Sequence, residues 1–195
     1  MSNPLEQNFW AARYAAGRTG WDLGAPSPPL VAYLDGLEDK QLRILIPGAG
    51  NGYEAEYAWR RGFRNVYVLD VAAQPLASFA ARLPEFPRAQ LLQGDFFTHV
   101  GSYDLILEQT FFCALNPALR PDYARQMHAL LKPGGKLAGL WFNRDFPAGP
   151  PFGGDRAEYL GYLTPYFDVV SFAEATDSIP PRAGSELFGV FRKPS

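Results

Sequence analysis

The order of apolar segments predicts an α/β fold: a seven-stranded, mostly parallel sheet with helices on both faces and an antiparallel last strand. Three observations carry this. Strand-like and helix-like stretches alternate after about residue 40. Leu42–Ile46 (LRILI) reads as a central parallel strand covered on both faces. The link between the last two strand candidates, Thr176–Ser185, contains Pro180-Pro181 and is too short for a crossover helix, so the final strand returns antiparallel.

After the first strand comes Gly48-Ala49-Gly50-Asn51-Gly52, then a helical stretch, Tyr53–Arg61. Glu54 and Glu56 in its first turn and Arg60 and Arg61 in its last suit the helix dipole, and Gly62 stops it. Val66–Leu69 is the second strand, ending at Asp70, and Gln74–Leu83 the next helix. Ala89–Leu92 is the third strand, followed by Gly94-Asp95-Phe96-Phe97, and Tyr103–Leu107 the fourth. A helix over Leu119–Leu131 ends in the turn Lys132-Pro133-Gly134-Gly135, and Lys136–Phe142 is the fifth strand. A Gly- and Pro-rich loop, Phe146–Gly154, leads to a short helix near Arg156–Leu163. The last strands fall near Phe167–Ala173 and Leu187–Arg192.

Ahead of the sheet, Asn3, Pro4 and Glu6 fit the N-cap, first and third positions of a capped helix, with Gly17 as its stop. Trp10, Arg13 and Tyr14 share one helical face, and Trp21 follows just past the turn. These aromatics either staple the helix to the core or form a lid over a pocket.

The chain of 195 residues is expected to be one domain, with residues 1–24 as an N-terminal segment. Hydrophobic residues make up 47% and charged residues 19%, a globular composition rather than a disordered or membrane one. No apolar run approaches membrane-spanning length, the N-terminus lacks a secretory pattern, and Cys113 is the only cysteine. A cytoplasmic protein is expected. A net charge of −2 argues against nucleic acid as a partner and leaves a small molecule.

Gly48-x-Gly50-x-Gly52 follows an apolar strand and opens a helix, where glycine permits positive φ and close ligand approach. Asp70 closes the next strand at about the spacing where an acid meets ribose hydroxyls. These features indicate a nucleotide-like cofactor at the strand carboxyl ends without saying which. A dinucleotide loop needs a small residue where Tyr53 stands. The acid-aromatic pair Asp95-Phe96 after the third strand suits an adenine, and there is no Walker lysine pattern.

The stretches FWAARYAAGRTGWDLG (Phe9–Gly24), IPGAGNGY (Ile46–Tyr53), GDFF (Gly94–Phe97), LEQTFFCALNPALR (Leu107–Arg120), LLKPGGKL (Leu130–Leu137) and GPPF (Gly149–Phe152) resemble the thiopurine/thiol/halide methyltransferase family. The resemblance covers nearly the whole chain. It implies a class I methyltransferase, Rossmann-like fold with an N-terminal helical lid, using S-adenosylmethionine (SAM), releasing S-adenosylhomocysteine (SAH) and holding no metal. By position it implies a lid of Trp10, Tyr14 and Trp21. Gly48 and Gln109 would meet the methionine end, Asp70 the ribose, and Asp95 and Phe96 the adenine. Ala49 stands where many members carry Cys, and Gln109 where the thiopurine branch carries Arg. The stretch through Phe111-Phe112-Cys113-Ala114 is closer to the thiol/halide branch.

A thiolate or halide already carries its nucleophilic charge, which fits a chain with no evident catalytic dyad. His99 and His128 read as structural or solvent-facing, and Cys113 as a small buried hydrophobe. The expected acceptor is therefore a small soft nucleophile: thiol, bisulfide or halide. Phe112, Phe152 and Tyr159 are candidates for an apolar acceptor chamber, with core packing as the alternative. Arg120 and Arg182 are candidates to attract an anion. Other small acceptors (a thiopurine, a selenium or tellurium species, a heterocyclic nitrogen) and a catalytically silent SAM-binding protein are the competing readings.

Overall fold

The computed structural model describes residues 4–195, and side chains from residue 7 onward. The expected Asn3 cap and the Glu6 side chain lie outside what is described. Helix α1 spans Pro4–Ala15 and α2 Pro28–Asp35. Then follow β1 (Ile44–Pro47), α3 (Tyr53–Arg60), β2 (Val66–Asp70), α4 (Ala73–Arg82), β3 (Leu91–Gln93) and β4 (Tyr103–Gln109). Helix α5 (Arg120–Leu130), β5 (Leu131–Phe142), α6 (Arg156–Leu163), β6 (Asp168–Glu174) and β7 (Glu186–Arg192) complete the chain.

The seven strands form one sheet in the order β3-β2-β1-β4-β5-β7-β6. All neighbours from β3 to β5 pair in parallel, and β7 runs antiparallel to both β5 and β6. The strand alternation divides the core into two. Ile44, Ile46, Leu105 and Leu107 pack with Leu30 and Leu34 of α2, Ala55 and Ala58 of α3, and Phe79 of α4. Leu45, Ile106 and Leu137 pack with Tyr123 and Met127 of α5 and Tyr159 of α6. Chain order reverses direction between β1 and β4, which opens a crevice at their carboxyl ends.

Helix α2 was not anticipated, although Ser27-Pro28 is a helix-start signal. The Ser27 side chain makes no cap; its carbonyl accepts the Val31 N–H at 3.0 Å, and its own N–H donates to Glu54 Oε1 of α3's first turn at 2.9 Å. Strand β5 begins five residues before the sequence suggests, because Leu131 pairs with Tyr103 through a bulge before the regular register starts at Leu105–Lys136. The expected turn therefore lies inside the strand, with Gly134 at φ 74°.

Mid-sheet, Gly139 of β5 pairs with Glu108 of β4. A Cβ at Gly139 would lie 2.6 Å from the Glu108 carbonyl oxygen and against its side chain. Backbone cannot yield there as a flexible side chain would. Gly139→Ala is expected to destabilise the fold by about 3 kcal/mol, the upper range of core overpacking. In a protein of this size that lowers the melting temperature by roughly 6–12 °C. An unchanged melting curve would contradict this packing.

Candidate active site

The first glycine turn is shaped by what lies on it. Gly48 follows β1 at φ 58°, and a Cβ there would lie 2.7 Å from Phe111 Cγ. The turn is tied to β2 by Asp70, whose Oδ2 accepts from the Gly50 N–H at 2.9 Å and Oδ1 from the Ala72 N–H at 2.8 Å. Asp70 is only 6% exposed. Burial pushes its carboxyl above the usual range, opposed by the amides of Ala72 and Gly50. At the end of β3, Asp95 caps the short turn Phe96–Thr98, accepting from the Phe97 N–H at 2.9 Å.

The carboxyl end of β4 has an unusual backbone. Thr110 is β-branched yet sits at φ 55°, the sole non-glycine residue with positive φ among those described. Glu108, fully buried, holds the following turn: its Oε1 accepts from the N–H groups of Phe111 (2.8 Å) and Phe112 (2.9 Å). The Tyr123 hydroxyl donates to Oε2 at 2.7 Å. Burial pushes the Glu108 carboxyl up to about 7 against these three donors. The turn lays Phe111 over Gly48 and sends Phe112 into the core. There its ring centre lies 4.9 Å from Tyr123 and 5.3 Å from Tyr159. Beside it, Gln109 Oε1 is buried without a hydrogen-bond partner among the described residues.

Helix α1 ends as the sequence suggests. Gly17 takes φ 62°, with the Gly17 N–H donating to Tyr14 O and the Arg18 N–H to Arg13 O, a Schellman closure. That turn brings Trp21 back against α1, edge-on to Trp10 (5.3 Å) and Tyr14 (5.6 Å). Among the described residues, Arg182 Nη2 donates to the Trp21 carbonyl at 3.0 Å and Asn51 Nδ2 to Asp22 Oδ2 at 2.5 Å, which ties the segment to the main fold. The Tyr14 hydroxyl would lie 2.9 Å from a Cβ at Gly50. Burial and the negative charge of Asp70 push that phenol well up.

These pieces enclose a cavity of about 500 Å³ at the carboxyl edge of the sheet. Trp10, Tyr14, Trp21, Gly48, Asp70, Asp95 and Phe96 all line it, while Gln109 lines a smaller adjoining recess with Gly48 and Thr110. The proposed chamber residues fall elsewhere, each for a physical reason. Phe112 is core. Phe152 stands against Gly149, with its N–H donating to the Cys113 carbonyl at 2.6 Å. Tyr159 is buried, its hydroxyl on the Phe142 carbonyl at 2.5 Å. Arg120, 2% exposed, is spent on Glu158 Oε1 (2.6 Å) and the Gly153 carbonyl (2.7 Å).

In their place the wall is made by Phe111, Phe142, Phe146, Pro150 and Pro151, with Arg13, Arg144 and Arg182. Arg182, singled out from sequence, lines the cavity but is paired to Glu186 Oε1 at 3.3 Å. Phe111 was hidden from sequence reasoning by the Thr110 turn, which swaps the roles expected of two adjacent phenylalanines. Neither histidine lines the cavity: His99 bonds the Tyr103 hydroxyl at 2.8 Å, and His128 packs on Tyr166 and Phe167. Cys113 does line it, but burial pushes its thiol far up, which leaves it a weak nucleophile at neutral pH.

Comparison with known proteins gives the site its context. The family model described as thiopurine S-methyltransferase matches residues 5–194. A probable thiol methyltransferase 2 of Arabidopsis thaliana is 35% identical over 193 residues, covering 95% of this chain and 85% of that protein. A thiocyanate methyltransferase 1 of Brassica oleracea is 33% identical over 200 residues, covering 99% and 88%. Among solved structures, the Burkholderia thailandensis 1,6-didemethyltoxoflavin-N1-methyltransferase with bound SAH superposes with a TM-score of 0.80. It covers 100% of this chain and 92% of its own at 22% identity, a likeness of fold. A family match along almost the whole length, with relatives above 30% identity, makes this chain a SAM-dependent methyltransferase that belongs to the thiopurine S-methyltransferase family.

Proposed function

We propose that this enzyme moves the SAM methyl group to a small soft nucleophile (thiol, bisulfide or halide) by in-line displacement. The observation that carries the reading is the cavity wall beyond β4 and β5. It is apolar and flanked by arginines, and no histidine, glutamate or lysine lines the cavity among the described residues. Such a wall suits an acceptor that arrives as an anion (halide, bisulfide or thiolate), a thiol having lost its proton to solvent beforehand. The printed activities of the thiol and thiocyanate methyltransferase relatives point the same way.

The residues fit the donor. In this reading Asp70 accepts the ribose hydroxyls, and each of its oxygens retains acceptor capacity beyond its one backbone bond. Asp95 takes the adenine amino group, with Phe96 bordering the ring. Gly48 and Gln109 meet the methionine end. A buried polar atom without a partner costs about 1–3 kcal/mol, and a donor from that end would relieve the Gln109 oxygen. Trp10, Tyr14 and Trp21 close over the pair, so residues 1–24 act as a lid on a single domain spanning residues 1–195.

When bound, SAM supplies the electrophilic methyl on its sulfonium. The chain's residues hold the acceptor in line and exclude water, and positioning of that kind lowers a barrier by about 7–11 kcal/mol. Apolar walls favour anions whose hydration is cheap to strip. A cytoplasmic setting belongs to the same proposal, supported by one unpaired cysteine, Cys113. Among the described residues no helix is long and apolar enough to cross a membrane.

The test is SAH release from SAM with iodide, bisulfide, thiocyanate, chloride, thiophenol and a thiopurine in turn. The soft anions are expected to react fastest, iodide exceeding chloride at least about tenfold in kcat/KM, some 1.4 kcal/mol in barrier. Chloride ahead of iodide, or turnover of the thiopurine alone, would overturn the assignment.

A further inference from the structure

Of the three arginines that line the cavity, Arg182 alone has an ion pair among the described residues. Arg182 is balanced by Glu186 and anchored to the Trp21 carbonyl. Arg13, on α1, stacks on Phe9, its guanidinium carbon 4.6 Å from the ring centre. Arg144 lies two residues beyond β5, on the wall that also carries Phe142, Phe146, Pro150 and Pro151. Its backbone bridges Gly154, the Gly154 N–H donating to the Arg144 carbonyl at 3.2 Å, which closes the loop 145–153 at its stem. The side chain is exposed, with the guanidinium 4.9 Å from the Phe146 ring centre, and pairs with no carboxylate among the described residues.

A fixed backbone with an unspent cation over an aromatic wall is a different device from Arg120, whose charge is buried and paired. Guanidinium keeps its proton at any working pH, and its weak hydration lets it meet an anion at low desolvation cost. Among the described residues the acids lining the cavity are Asp70, which ends β2, and Asp95, which follows β3, whereas Arg144 follows β5 across β1 and β4. Positive charge at the acceptor wall is thus separated from negative charge at the nucleoside side.

We infer that Arg144 is the specificity-determining residue that recruits the acceptor as an anion, selecting thiocyanate, iodide and bisulfide over uncharged thiols. This rests on the soft-nucleophile reading above and goes beyond it in naming what enforces the charge. Arg182 does not serve in its place because its charge is paired with Glu186 and it is anchored to the Trp21 carbonyl, and Arg13 lies on α1 rather than on the wall beyond β5.

Steady-state kinetics with thiocyanate at saturating SAM, on wild type, Arg144→Gln and Arg144→Lys, test this, together with SAH affinity by calorimetry. Arg144→Gln is expected to raise KM for thiocyanate about tenfold, move kcat less than twofold and leave SAH affinity unchanged, with Arg144→Lys restoring most of the KM. Added sodium sulfate should lower wild-type kcat/KM and leave the Gln variant nearly flat. An unchanged KM, a loss confined to kcat, or a fall in SAH affinity would overturn the inference. If wild type makes no SAH from any soft nucleophile, the soft-nucleophile reading fails by itself. Thiocyanate titrated onto the protein–SAH complex then decides the role of Arg144: a tenfold weaker affinity in Arg144→Gln supports it, and equal affinity overturns it.

Discussion

Asp70→Ala is expected to weaken SAM and SAH binding about 100-fold or more, measured by calorimetry at neutral pH. One carboxylate does two jobs here. It latches the glycine turn through the Gly50 N–H and the start of α4 through the Ala72 N–H, and in our reading it receives the ribose. Hydrogen bonds to a charged group are worth about 1.5–3 kcal/mol each, so losing two accounts for a change of that size. Asp70→Asn keeps one acceptor but sets its NH₂ against the second backbone N–H, Gly50 or Ala72, so it should melt below wild type by about 1–3 kcal/mol and bind SAH at least about tenfold more weakly. Wild-type affinity in Asp70→Ala would show that the ribose lies elsewhere.

The second large effect concerns pH. Glu108 is buried and its carboxyl is raised from 4.5 to about 7, so the folded state binds its proton more tightly than the unfolded chain does. The native contribution is then fully present below pH 4.5 and is lost as pH rises toward and through 7. At about 1.4 kcal/mol for each pH unit the loss is about 3 kcal/mol. Glu108→Gln keeps an oxygen for the Phe111 and Phe112 amides and offers its NH₂ to the Tyr123 oxygen, but it does not titrate. Denaturant melts of both proteins should therefore shift by about 3 kcal/mol in favour of the Gln variant between pH 4.5 and pH 8. A constant difference across that range would mean that Glu108 is ionised throughout.

The same buried acid explains why part of the site was legible in sequence and part was not. The glycine turn, Asp70 and Asp95 sit at the ends of successive strands, and strand ends are readable from local apolar runs and turn residues. Their convergence on one cavity follows from parallel strand order alone. The acceptor wall depends on longer-range events. Phe111 rather than Phe112 lines the cavity because Thr110 takes a left-handed turn stabilised by Glu108, four residues from Phe112 in sequence but reached through its side chain. Periodicity carries no sign of that turn.

Arg144 and Phe146 reach the cavity because the loop 145–153 closes on the Arg144–Gly154 bridge, a pairing no propensity announces. Arg120 was singled out for its type, yet tertiary structure places it behind the wall with Glu158. In each case the sequence supplied the right chemistry near the right strand, and side-chain packing decided which member of the neighbourhood faces the space.

The most direct measurement is the product pair. Purified enzyme, SAM and thiocyanate are sealed together, with methyl thiocyanate followed in the headspace by gas chromatography and SAH in solution. The two should accumulate one for one, and both should fall together in Asp70→Ala. SAM bound by the wild-type protein with neither product formed would contradict methyl transfer to a soft anion in this cavity.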